Sequence, residues 1–93
     1  ELKSATGKVI KAFTQNDHEL KNLINKKGYI YTAGERLDNI ASVAVPIFNN
    51  KENFTGTLSI SGWRQFFTNK SVAKFYKILS GYQNQMKRLV SNE

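Results

Sequence analysis

The spacing of apolar residues changes along the chain, and each change marks an expected element. From about Ser4 to Phe13, the residues Val9, Ala12 and Phe13 fall at i, i+3 and i+4, the spacing of one helix face. A second helix is expected to open with Asn16 as its N-cap. Glu19 lies three residues on, where its side chain can reach back to the cap's backbone N–H. Leu20, Leu23 and Ile24 form its apolar stripe, and Gly28 behind Lys26 and Lys27 supplies a left-handed exit.

Tyr29 to Thr32 is short and rich in strand formers, and Ala33 to Asn39 reads as a loop. Ile40 to Phe48 is apolar on both faces, as an interior strand requires. Pro46 has no N–H to donate, so pairing on one side should fail there. Asn49 to Asn53 is turn-like and Phe54 to Gly62 is a further strand, which makes a hairpin. After Trp63 to Phe67, Thr68 is the expected N-cap of a long helix from about Asn69. Val72, Phe75, Tyr76, Leu79, Tyr82, Met86, Leu89 and Val90 keep helical spacing as a broad core-facing stripe. Helix, helix, strand, strand, strand, helix predicts an α+β layer structure in one domain.

The stretch Gly56 to Gly62, GTLSISG, places a small hydroxyl at every second position. Residues opposite one another on an antiparallel pair share a face. With a four-residue hairpin loop, Asn49 to Glu52, Ser42 faces Ser59, Ala44 faces Thr57 and Ile40 faces Ser61. The other face then collects Val43, Val45, Ile47, Leu58 and Ile60 as a core for the long helix. An odd-length loop would set Ser59 beside Val43 and mix the faces. The hydroxyl face either meets water or lines a pocket, where it could hold a carboxylate or carbonyl without burying a protein charge.

Composition narrows the classes. The chain has 93 residues, enough for one modest core. It has no Cys, hence no disulfide framework, thiolate nucleophile or thiolate metal site. No apolar run approaches the roughly 20 residues of a membrane span. The first residues lack the apolar stretch of a signal peptide, so a cytoplasmic location is the expectation. Fourteen Lys and Arg stand against seven Asp and Glu, a net charge of +7. That excess suits either phosphate contacts or a solvated surface. The cations are dispersed, and Lys70, Lys74 and Lys77 come nearest to a stripe. Catalysis finds little support. The single His, His18, sits at a helix start, and no pattern places a base near Ser59 or Ser61. Asp38 and Glu35 read as a polar loop rather than a metal site, and no cofactor is expected.

The run Gly28 to Glu35 (GYIYTAGE), then Ile40 to Phe48 (IASVAVPIF), then Leu58 to Gly62 (LSISG) resembles the effector-binding domain of the IclR family of bacterial transcriptional regulators. Ser4 to Lys8 is similar to that family's S-A-x-G-K helix. The resemblance implies a GAF-like or profilin-like antiparallel sheet with helices packed on one face. It also implies a domain that binds a small metabolite and controls an N-terminal winged helix-turn-helix. Ser59 and Ser61 match the two family serines that contact the ligand. Ser42 falls where many members have Cys. Thr32 falls where many have an acid, which removes a negative charge from the rim, and Trp63 replaces the usual Pro after SG. The family's domain is longer, so this chain is expected to be its C-terminal part, with the DNA-reading module outside it. The implied ligand-binding set is therefore Thr32, Ser42, Ser59 and Ser61. The implied partners are a small carboxylate or carbonyl effector and further copies of the chain; no membrane partner is expected, and DNA is reached only through the absent module.

Two other readings stay open on the residues. Tyr29, Tyr31, Trp63, Phe66 and Phe67 could stack bases beside Lys and Arg in a direct nucleic-acid binder. Trp63 to Phe67 could instead be the contact surface of an oligomerisation module.

Overall fold

A computed structural model describes residues 3–35 and 37–91. The order is α1 (Ala5–Thr14), α2 (His18–Lys27), β1 (Ile30–Ala33), β2 (Ile40–Phe48), β3 (Phe54–Trp63), a 3-10 turn (Arg64–Phe66) and α3 (Asn69–Ser91). Every expected element is present, and the α+β class holds. Arg36, inside the expected loop, lies outside the described residues.

Local chemistry fixes the helix ends. Ser4 caps α1, its Oγ accepting the Gly7 N–H at 3.0 Å. The cap of α2 is Asp17 rather than Asn16, and it accepts the Leu20 N–H at 3.1 Å. Asn16 instead turns the corner at φ 54°, a left-handed conformation Asn tolerates. Gly28 ends α2 at φ 93°, its N–H bonded to the Ile24 carbonyl. Thr68 caps α3: the Ser71 N–H reaches Thr68 Oγ1 at 3.2 Å and the Thr68 N–H reaches Ser71 Oγ at 2.8 Å. This is a capping box with Ser in the place of Glu.

The sheet is antiparallel in the order β1-β2-β3. Its hairpin register differs from the four-residue expectation. The Asn49 N–H bonds to the Asn53 carbonyl at 3.0 Å and Glu52 is left-handed at φ 63°, which closes a loop with an odd number of residues. That alone would mix the faces. Thr55 corrects it: Phe48 lies opposite Phe54 but Ile47 opposite Gly56, so Thr55 is a bulge on β3. Two odd offsets restore the phase. Ser42 therefore faces Ser61, Ala44 faces Ser59 and Ile40 faces Trp63, two residues from the expected pairs but with the same faces.

Helices cover both sides of the sheet, where the resemblance implied one. Val43 and Val45 pack with Val72 and Leu79 of α3, flanked by Leu58, Ile60, Phe75 and Tyr76. Ile30 and Ala44, on the other side, pack with Ala5, Val9 and Ala12 of α1 and Ile24 of α2. Residues 41 to 47 of β2 are all buried, and a strand apolar on both faces needs cover on both. The α3 stripe is narrower than its spacing suggested. Val72 and Leu79 are buried, but Tyr82 and Leu89 turn outward, 54% and 63% exposed.

Pro46 is accommodated at no cost to the ladder. The Gly34 N–H bonds to the Ile40 carbonyl at 2.9 Å, so even-numbered positions of β2 bond toward β1. β1 ends opposite Ala44, so the Pro46 nitrogen points past its end. The Pro46 carbonyl accepts Gln83 Nε2 of α3 at 2.8 Å in place of a strand. Among the described residues, no helix is long and apolar enough to cross a membrane.

Candidate functional site

Thr32 lies opposite Ser42, and Ser42 opposite Ser61, so three hydroxyl residues form a row across the three strands. Ser59 stands two residues along β3 on the same face. All four expected site residues line one cavity of about 330 Å³. The sheet supplies its floor and the first turn of α1, through Ser4 and Thr6, supplies a wall. Ile40 and Glu35 complete the rim.

The cavity exists because of side-chain size and helix placement. Ala44 is small enough for α1 to lie directly over it, and both Ala44 and Ala5 are fully buried. α1 begins at Ala5, so the sheet beyond that end is left without a helix above it. The residues there are the hydroxyls. Thr32 and Ser42 are buried, while Ser59 and Ser61 are open to solvent.

The Ser42 and Ser61 Oγ atoms lie 2.6 Å apart. One hydroxyl donates to the other, and the acceptor keeps its own proton for a third group. Such a chain polarises the outer O–H and strengthens its next hydrogen bond. The N-terminus of α1 adds a second source of positive potential. The first N–H groups of a helix lack acceptors within it, and of these Gly7 is satisfied by the Ser4 side chain. Glu35 is the single acidic side chain of the lining, and Lys8 Nζ lies 4.0 Å from its Oε1. That spacing in an exposed setting offsets part of the negative charge.

The arrangement can therefore hold a polar group by hydrogen bonding. The single His, His18, lies at the start of α2, away from the lining. Among the described residues, no group of three His, Cys, Asp or Glu could hold a metal ion. A larger hollow beside Asp38, Trp63 and Phe66, about 760 Å³, is a wide surface depression walled by exposed side chains. It lacks the converging hydroxyls that distinguish the smaller cavity.

Sequence reasoning placed the floor of this site but missed its wall. Ser4 carries an N-cap signal, which locates a helix start without saying what the start faces. Glu35 reads as a loop residue, and only the turn between β1 and β2 brings it to the rim.

Comparison with known proteins agrees with the fold. Residues 1–88 match the family described as bacterial transcriptional regulator IclR C-terminal. No curated protein sequence matches the chain. Among solved structures, the chain is similar to IclR of Thermotoga maritima, with a TM-score of 0.81 and 24% identity over 95% of this chain and 46% of that one. It is also similar to the C-terminal domain of the E. coli transcriptional regulator KdgR, with a TM-score of 0.77 and 17% identity over 94% of this chain and 68% of that one. An IclR transcriptional regulator from Alicyclobacillus acidocaldarius gives 0.66 and 27% identity, over 84% of this chain and 34% of that one. The chain thus spans less than half the length of the Thermotoga protein. It belongs to the IclR family of bacterial transcriptional regulators, in the family's C-terminal region.

Proposed function

We propose that the hydroxyl cavity binds a small polar effector, a carboxylate or carbonyl compound, and that its occupancy controls DNA binding by a winged helix-turn-helix elsewhere in the intact regulator. The convergence of Thr32, Ser42, Ser59 and Ser61 beneath the α1 N-terminus carries this reading. Hydroxyls and helix amides donate to a carboxylate without the desolvation cost of burying a cation. The chain acts here as a sensor and not as an enzyme. Its working place is the cytoplasm, where the DNA is. Thr32 leaves the floor uncharged, and Glu35, balanced by Lys8, offers an acceptor for a ligand hydroxyl. A short hydroxy acid or keto acid satisfies each of these groups.

The test is calorimetric titration of the intact regulator with a panel of short keto acids and hydroxy acids. At least one should bind, and Ser59→Ala and Ser61→Ala should each weaken it roughly tenfold to hundredfold. Wild-type affinity in both variants would reduce the cavity to a wet sheet surface.

A second reading, self-association, is favoured by the exposure of Trp63 and Phe66, 55% and 58%, where the end of β3 meets the 3-10 turn. Large aromatics in the open mark contact surfaces more often than isolated aliphatics do. The two readings are compatible, because a family sensor can act within an oligomer.

A further inference from the structure

Helix α3 carries Lys70, Lys74, Lys77, Lys87 and Arg88 and no acidic residue in 23 positions. Lys87 pairs with Glu52 at 2.9 Å. The other four are exposed and have no ion-pair partner among the described residues. Helical periodicity puts these four on one flank of the helix. Beside that flank runs an apolar strip of Ile78, Tyr82 and Leu89, each more than 40% exposed. Gly81 lies within the flank itself, one turn beyond Lys77 and two turns before Arg88. A Cβ there would meet nothing within 4 Å, so no contact inside the chain calls for glycine at a position where it weakens the helix. The bare backbone gives a flat place for close approach.

We propose that the outward face of α3 docks an acidic amphipathic helix of a partner protein, its apolar side on Ile78, Tyr82 and Leu89 and its carboxylates along Lys70, Lys74, Lys77 and Arg88. Charge complementarity selects this occupant. A second copy would set two acid-free cationic faces against each other. A nucleic acid would satisfy the cations but leave the apolar strip against water or phosphate. This face is on the opposite side of the sheet from the hydroxyl cavity, so the proposal stands apart from effector binding.

The experiment uses the protein as encoded and a synthetic amphipathic peptide whose leucine stripe is flanked by glutamates. A peptide of the same composition in scrambled order, duplex DNA and phosphatidylglycerol vesicles are the comparisons. The ordered peptide should bind saturably and slow amide hydrogen exchange in residues 73–91. Lys74→Glu with Lys77→Glu should weaken it at least roughly tenfold, as should Tyr82→Ser alone, with unchanged melting temperatures. The Tyr82→Ser arm decides the matter if the charge reversal disturbs folding. Equal binding of the scrambled peptide would overturn the proposal. So would tighter occupation of this face by DNA or vesicles, or burial of α3 in a self-association that these substitutions abolish.

Discussion

Ser42 and Ser61 share one hydrogen bond across β2 and β3, yet they sit in unequal surroundings: Ser42 is 9% exposed and Ser61 faces solvent. Removing the outer partner leaves a buried hydroxyl unsatisfied, whereas removing the inner one leaves a hydroxyl that water can serve. Ser61→Ala should therefore destabilise by about 1–3 kcal/mol and Ser42→Ala by about 1 kcal/mol or less. The double variant should cost less than the sum. Urea denaturation of the four proteins measures the cycle, and equal single costs would contradict the asymmetry.

Gly28 is the residue whose replacement should hurt most. Its φ of 93° is strained for any side chain, and a Cβ would drive into the Tyr76 ring and hydroxyl. Gly28→Ala is expected to cost about 2–4 kcal/mol, backbone strain and overpacking together. Combining it with Tyr76→Phe should recover only a part, because the ring carbon is also in the way. Thermal melts give the comparison.

Gly81 predicts the reverse. It lies inside α3, with open space where a Cβ would go. Gly81→Ala should stabilise by about 0.5–1 kcal/mol through helix propensity alone. A lower melting temperature would show that the glycine answers a contact within the folded protein.

β3 has ten residues and, in the sheet order β1-β2-β3, no strand on its outer side among the described residues. Such an edge invites pairing. The 93-residue chain by itself should self-associate through it, and Thr57→Pro, opposite Pro46 where the β3 N–H points away from β2, should disfavour that pairing. Sedimentation across a concentration series reads both effects. A monomer at every concentration would count against it.

The chain alone should not discriminate operator from scrambled DNA at physiological salt. The two helices that a short turn joins, α1 and α2, both pack their apolar faces against the sheet, and the cations outside α3 are spread over the surface. A gel-shift comparison with both duplexes tests this, and a preference for the operator would refute it.

Much of this protein is written in its local chemistry. The period of its apolar residues determined the six main elements and their order, because a helix or strand buries one face at 3.6 or 2 residues per repeat. Gly28 marked a helix end because only its backbone tolerates the exit. The parity of β2 and β3 determined that Ser42, Ser59 and Ser61 share a face, since a one-residue slip would have buried hydroxyls with Val43. The exact pairing was not legible. The Thr55 bulge compensates an odd loop, and a bulge is a choice made by packing around Phe48 and Phe54, not by the residue that bulges. Likewise Tyr82 and Leu89 fit a helical stripe by spacing, but how much of a stripe is buried depends on the width of the sheet beneath it. The tertiary structure alone decided that α1 crosses the hydroxyl face and stops at Ser4, which turns a row of small polar residues into a cavity. That contact joins residues more than fifty positions apart, and no local preference of the backbone encodes it.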